Sequence, residues 1–155
     1  MPEIYKAYYE SEIGIIEITG NKDEILSVCY FEGSPSALEI HPCLEKCIKQ
    51  LDEYFKGQRK EFTIKTGING TDFQKKVLRE VMKIPYGKTA SYKEIAEYIG
   101  NENAVRAVGN ANRNNNLAII IPCHRIVGSN GHLTGYGGGL WRKQWLLEHE
   151  KEANK

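Results

Sequence analysis

Two hydrophobic rhythms run along this chain. In the first third, apolar residues tend to alternate with polar ones. IGIIEITG at residues 13–20 and ILSVCYFEG at 25–33 are short and rich in β-branched and aromatic side chains, and the turn-forming run Gly20-Asn21-Lys22-Asp23 separates them. The pattern predicts a β-hairpin, with IYKAYYES ahead of it as a third antiparallel strand. The rhythm then lengthens. Leu44, Cys47, Ile48, Leu51, Tyr54 and Phe55 recur every three or four residues, which predicts a helix covering one face of that sheet, with Pro42 in its first turn and Gly57 at its end. EFTIKTG reads as a short strand or an extended connection into the second half.

From Thr71 onward the pattern is helical. TDFQ spells a capping box, Thr71 with Gln74, followed by Phe73, Val77, Leu78, Val81 and Met82 on one face and a stop before Pro85. SYKE spells a second, Ser91 with Glu94, and opens a helix through Ile95, Ala96 and Ile99 to Gly100. NAVRAVGNANR predicts a further short helix with Val105 and Val108 inward. Two short helices joined by a tight, glycine-containing turn are a helix-turn-helix pattern, a geometry shared by DNA readers and by plain helical bundles.

The expected fold is therefore α/β of the α+β kind. Residues 1–69 form a small antiparallel sheet with a covering helix, and residues 70–155 form a mostly helical domain with a helix-turn-helix. At 155 residues the chain can bury a real core without disulfides. No apolar run approaches a membrane span, and the opening MPEIYKAYYESE lacks the basic and then apolar pattern of a signal peptide, so the expected location is the cytoplasm. Cys29, Cys43, Cys47 and Cys123 are accordingly read as free thiols. Cys43 and Cys47 stand one helical turn apart beside His41, but they complete no recognised metal-ligand spacing, and Cys47 falls on the apolar helix face.

Net charge conceals an asymmetry. Residues 1–69 carry 8 Lys and Arg against 12 Asp and Glu, whereas the remainder carries 13 against 8. The basic half is the one with the helix-turn-helix, and nucleic acid is the commonest large anion. Arg106 and Arg113 near the ends of the second helix, and Tyr92 and Lys93 in the first turn of the helix before it, supply the groups a phosphate backbone needs.

Candidate chemistry lies in AIIIPCHRIVG, residues 118–128. A thiol reacts as thiolate, so Cys123 needs a proton acceptor, and His124 is beside it. Neighbouring residues on a strand point to opposite faces, which requires a sharp turn or a bridging water; Pro122 fits a bend. A carboxylate behind the histidine would fix its tautomer, and WLLEHE offers Glu148 and Glu150; spacing does not choose between them. The glycine-rich SNGHLTGYGGGLWRK between the two segments reads either as a close-fitting loop over a planar ligand or as a connector.

SYKEIA, AVRAVGNANRNN, IPCHRIV and GYGGGLWRKQWLLEHE, in this order and spacing, closely resemble the O6-alkylguanine-DNA alkyltransferases. The resemblance runs from about Thr71 to Glu150; the first half is similar only in plan. It implies an RNase H-like first domain and a winged-helix-like second one. It also implies transfer of an alkyl group from O6 of a damaged guanine in double-stranded DNA to Cys123, irreversibly and once per molecule.

By position, His124 matches the histidine that deprotonates the cysteine through a water, and Glu150 matches its supporting carboxylate. Asn115 matches an asparagine holding the active-site turn. Tyr92 matches a tyrosine that aids rotation of the phosphate and protonates the leaving guanine, and Arg106 matches the arginine that replaces the flipped base. Ser91, Ala107, Gly109 and Arg113 fall on the implied DNA-contacting surface, which enters the minor groove. Tyr136, Gly137, Ile126, Ala118 and Lys143 fall on the implied substrate pocket, with Gly137 where many relatives carry serine; exposure to solvent explains Lys143 equally well. The implied chemistry uses no metal and no cofactor, and the implied state is a monomer with DNA as partner.

Other functional classes remain to be separated. A lesion sensor without transfer is opposed by Cys123, because such relatives lack the acceptor. A redox-sensing DNA-binding regulator would read one sequence in the major groove, and a thiol hydrolase would need an oxyanion hole that no feature of the sequence supplies.

Overall fold

A computed structural model describes residues 3–35 and 39–154. The chain divides into two compact units, Met1–Ile68 and Asn69–Lys155.

In the first unit, β1 (Tyr5–Ser11), β2 (Gly14–Gly20) and β3 (Ile25–Phe31) form an antiparallel meander in the order β1-β2-β3. The period-two pattern is realised as expected: Ala7, Ile16, Ile18, Ile25 and Val28 point inward and are covered by α1 (Pro42–Phe55) through Leu44, Cys47, Leu51, Tyr54 and Phe55. Ile48, expected on the same face, is only partly buried. The hairpin turn is closed by the Asn21 side chain, whose Oδ1 accepts from the amides of Asp23 and Glu24. EFTIKTG is an extended connection with a single bridge, Thr66 to Ile25, and Gln50 fixes it by bonding the Thr63 hydroxyl and amide.

In the second unit both capping boxes form. Thr71 and Gln74 open α2 (Asp72–Val81), and Ser91 and Glu94 open α3 (Tyr92–Tyr98). Between them Pro85-Tyr86-Gly87-Lys88 closes a turn in which Gly87 takes φ +78° and the Lys88 amide bonds the Pro85 carbonyl at 3.0 Å, as a type II turn requires of its third residue. Gly100 ends α3 at φ +80°, and α4 (Val105–Arg113) follows. α2, α3 and α4 pack on one another around Val77, Leu78, Val81, Ile95, Ala96, Val108 and Ala111. A two-residue parallel pair, β4 (Ala90–Ser91) with β5 (Ile126–Val127), and α5 (Leu140–Ala153) complete the unit.

Two residues expected inside are outside. Val105 is 38% exposed, because the buried stripe of α4 begins one turn later at Val108 and continues through Ala111 and Asn112. Met82 is the C-cap of α2 and is 46% exposed. Among the described residues no helix is long and apolar enough to cross a membrane.

Candidate active site

The apolar run before Cys123 does not form the strand that its composition suggests. Asn115 follows the end of α4, and from Leu117 the backbone folds through tight turns with one isolated bridge, Ala118 to Ile121. The Ile120 amide bonds the Ala118 carbonyl at 2.8 Å around Ile119, which carries φ +72°, the signature of a strained γ-turn and rare for a β-branched residue. A second three-residue turn centres on Pro122 (φ −78°, ψ 61°), where the Cys123 amide bonds the Ile121 carbonyl at 2.7 Å. Cys123–Arg125 then make one turn of 3-10 helix, so the cysteine and histidine are not placed on opposite faces of a strand. Burial pays the conformational strain: Ile119, Ile121, Cys123, His124 and Arg125 are all buried.

Behind the cysteine stands a buried charged cluster. His124 and Glu150 are both 0% exposed, and His124 Nε2 lies 2.6 Å from Glu150 Oε2. Because a carboxylate only accepts, Nε2 carries the proton and donates it, leaving Nδ1 as a bare acceptor. That Nδ1 is buried and has no hydrogen-bond partner among the described residues. Arg125 grips the same carboxylate with Nε on Oε1 at 2.8 Å and Nη2 on Oε2 at 3.0 Å, while its Nη1 donates to the Ile84 carbonyl. The Gly87 amide adds a further donor to Glu150 Oε1. Glu148, the other candidate, is exposed and bonds Gln144.

The protonation states follow from these contacts. Burial alone would raise the Glu150 pKa, but His124 and Arg125 outweigh it and hold the carboxyl well below the usual carboxylate range. Burial pulls His124 below its ordinary value against the opposing pull of Glu150, so the imidazole is neutral near pH 7 and fit to accept a proton. Burial pushes the Cys123 thiol up, countered by the Asn115 side chain and by the charge of Lys143.

Of the two readings the sequence left open for Lys143, solvent exposure is the one that does not hold. The residue is not exposed: its relative accessibility is 0%, and Nζ donates to the Thr134 carbonyl at 2.6 Å. Burial lowers its pKa to about 8, with Cys123 pulling the other way. The same Thr134 meets Tyr92, since its hydroxyl donates to the Tyr92 oxygen at 3.1 Å, and the Lys143 ammonium stands 5.9 Å from the Tyr92 ring centre. Tyr92 and Lys143 thus hold the glycine-rich segment from both sides, and Tyr136 and Gly137 lie within that segment, partly buried and exposed respectively.

The remaining expected residues divide. Asn115 holds the turn, its Nδ2 donating to the Ile121 carbonyl at 3.1 Å and its Oδ1 accepting from the Leu117 amide at 2.9 Å. Arg106, Ala107 and Arg113 lie exposed on α4, Gly109 faces the Tyr92 ring, and Gly135 passes close to the Arg113 guanidinium. Ser91 is buried, and its hydroxyl oxygen accepts from the Glu94 amide in the helix cap. Ile126 is fully buried and pairs with Ala90 across β4 and β5. Ala118 is partly exposed.

Sequence reasoning missed Asn112, whose Nδ2 donates to the Cys123 carbonyl at 3.2 Å, and the two-toothed grip of Arg125 on Glu150. Among the described residues no group of three or more His, Cys, Asp or Glu side chains is placed to hold a metal ion. His41 instead caps α1 and stacks on Tyr5, with Nδ1 accepting from the Cys43 amide.

Comparison with known proteins adds an independent line. Residues 72–152 match the family described as 6-O-methylguanine DNA methyltransferase, DNA binding domain, and residues 4–68 match the ribonuclease-like domain of the same description. A Methanosarcina acetivorans protein named methylated-DNA–protein-cysteine methyltransferase is 43% identical over 153 residues, covering 95% of this chain and 98% of its own. The crystal structure of Mycobacterium tuberculosis O6-methylguanine methyltransferase superposes with a TM-score of 0.88 at 39% identity, over 97% of this chain and 94% of that one. A structure from the same organism in complex with DNA gives 0.86 at 42% identity, over 94% and 92%.

Proposed function

Since the chain belongs to the 6-O-methylguanine DNA methyltransferase family, we propose that it repairs DNA by taking the alkyl group of O6-alkylguanine onto Cys123. The observation that carries this reading is the buried line from Glu150 through His124 to an unpaired Nδ1, on the same 3-10 turn as Cys123.

The chemistry runs in one direction. Neutral His124, fixed by Glu150 as the Nε2–H tautomer, accepts the thiol proton at Nδ1 through a water. The thiolate attacks the alkyl carbon, a C–S bond forms, and the C–O6 bond breaks with its electron pair going to the guanine. Tyr92 donates the proton that neutralises the leaving base. Arg125 keeps Glu150 ionised, so the imidazolium is matched by a carboxylate when it forms. Lys143, close enough to influence the thiol, favours its charged form. A thioether is a very poor leaving group, so the protein acts once.

A base stacked in a duplex hides O6, so the guanine must be extruded. The exposed α4 carries Arg106 at the position suited to filling the gap, with Ala107 and Gly109 small enough to approach a minor groove closely. Tyr136, Gly137 and Ala118 border the pocket receiving the base. Such contacts read little sequence, as repair at any guanine demands. The working form is a cytoplasmic monomer with DNA as its partner.

The test is mass spectrometry after incubation with duplex DNA containing O6-methylguanine. One methyl added to a peptide containing Cys123, together with unmodified guanine in the DNA, is the expected result. Unmodified Cys123 beside intact lesion refutes the reading.

A further inference from the structure

α4 reaches the nucleophile through Asn112. This residue stands in the last turn of the helix, is only 4% exposed, and donates from Nδ2 to the carbonyl of Cys123 at 3.2 Å. The reversed amide orientation would set two acceptors against each other, so the assignment of Nδ2 and Oδ1 is fixed by the contact. Three residues later Asn115 donates to the Ile121 carbonyl. The two amides therefore hold the carbonyls on either side of Pro122, the residue that cannot donate a backbone hydrogen bond. The carbonyl of Cys123 also accepts from the Ile126 amide, so both of its lone pairs are engaged and the peptide plane beyond the thiol is fixed.

Asn112 Oδ1 is itself buried and has no partner among the described residues. Buried acceptors are nearly always satisfied, so an unpaired one beside a reactive group marks a place for a donor. His124 Nδ1, on the 3-10 turn of Cys123, is another buried acceptor without a partner among the described residues. The opposite end of α4 carries the exposed Arg106 and Ala107. One helix thus carries Arg106 and Ala107, proposed to meet DNA, in its first turn and, in its last, the amide bonded to the carbonyl of the nucleophile.

We infer that Asn112 is a positioning residue for methyl transfer, tying the seating of α4 on DNA to the orientation of Cys123. The inference rests on the function proposed above. Through the Cys123 carbonyl it fixes the direction from which the thiolate approaches the alkyl carbon, and Oδ1 receives a donor N–H or O–H, from water or from the bound base, once the site is filled. Misalignment of a displacement of this kind is felt in the rate constant and not in the affinity.

The experiment compares Asn112→Leu, which keeps the shape and removes both polar atoms, with Asn112→Asp, which keeps an acceptor and loses the donor. Three quantities are measured for the full chain: the Kd for lesion-containing duplex, the single-turnover transfer rate at saturating DNA, and the thermal unfolding midpoint. Both variants are expected to bind lesion DNA within about twofold of the unsubstituted protein and to transfer at least about tenfold more slowly. For Asn112→Asp the deficit, taken as a ratio to the unsubstituted protein at each pH, shrinks as the pH falls from about 8 to about 5, because burial against a carbonyl raises the introduced carboxyl above its ordinary value and the protonated acid regains a donor toward the Cys123 carbonyl. A filler of space would not show that recovery.

Transfer by Asn112→Leu within about twofold of the unsubstituted rate overturns the inference. So does a loss confined to Kd. If the leucine variant fails to fold, the aspartate ratio decides: a ratio independent of pH overturns the inference and a rising one supports it. No methyl on Cys123 in the unsubstituted protein overturns the proposed function instead, whatever the variants do.

Discussion

His124 and Glu150 meet at 2.6 Å, both fully buried, and Arg125 closes on the same carboxylate from the other side. A buried carboxylate with one partner would be an expensive feature. With a bidentate guanidinium, an imidazole N–H and the Gly87 amide, its acceptor sites are filled. The cluster does two jobs at once. It joins α5 to the turn after Cys123, and it determines which histidine nitrogen can take a proton.

Replacing Glu150 by glutamine separates those jobs. The amide leaves the Arg125 guanidinium buried without a counter-charge, a loss expected at about 3–5 kcal/mol, and it can no longer stabilise an imidazolium, which is expected to slow methyl transfer by about a hundredfold or more. Urea unfolding at neutral pH and single-turnover transfer measure the two effects. A stability change below about 1 kcal/mol would show that the cluster does not act as a buried ion pair.

Acid should weaken the fold in two stages with the same sign. His124 has a folded pKa below its unfolded value, so its contribution is complete above about pH 6.5 and is lost as pH falls below it. Glu150 is likewise depressed, so the stability it contributes is present above about pH 4.5 and is lost as pH falls toward its folded value. Unfolding free energies measured against pH for the unsubstituted protein and for Glu150→Gln should therefore converge as acid increases. Parallel curves below about pH 4.5 would contradict the assignment.

How far these features could be read in advance depends on whether the signal was local. Both capping boxes, the β1–β3 meander and the face of α1 are written in neighbouring residues, and they form where Thr71, Ser91 and the alternating isoleucines place them. The turns before Cys123 carry no such signal: AIII has strand composition, and the packing of Ile119 and Ile121 together with the Asn115 side chain holds the backbone in γ-turns. Asn112 and the carboxylate partner of Arg125 were invisible for another reason. The partners of Asn112 and Arg125 lie 11 and 25 residues away in sequence, and a single asparagine or arginine does not announce a long-range carbonyl or carboxylate. For Lys143 the sequence left a place near the pocket and plain exposure equally open, because lysines are rarely fully buried; its burial removes the second.

Lys143 should act on the thiol only while it is charged. Burial lowers its pKa to about 8, so it is mostly protonated at pH 7 and loses its charge above pH 8. Lys143→Met is expected to slow alkylation of Cys123 by iodoacetamide several-fold at about pH 7, with the difference fading as the pH rises past about 9. Rates for the two proteins across that range, with the modified peptide identified by mass, check the expectation. A ratio that does not change with pH would mean that the ammonium has no electrostatic role.

Ile119 offers a test of strain near the site. A β-branched residue at φ +72° is held in a conformation that glycine adopts freely, at a penalty of about 1–3 kcal/mol. Ile121 is equally buried and shows no such angle. Truncation of either to glycine removes a large buried side chain, a loss of several kcal/mol in each case, but only at position 119 is part of the loss returned by relief of the backbone. Ile119→Gly should therefore be less destabilising than Ile121→Gly by about 1–2 kcal/mol in chemical denaturation. Equal losses would mean that packing relaxes the turn and that no strain is stored beside Cys123. If the predicted difference appears, the added freedom at residue 119 should also lower the transfer rate at saturating DNA, because the same turn that stores the strain directs the thiol.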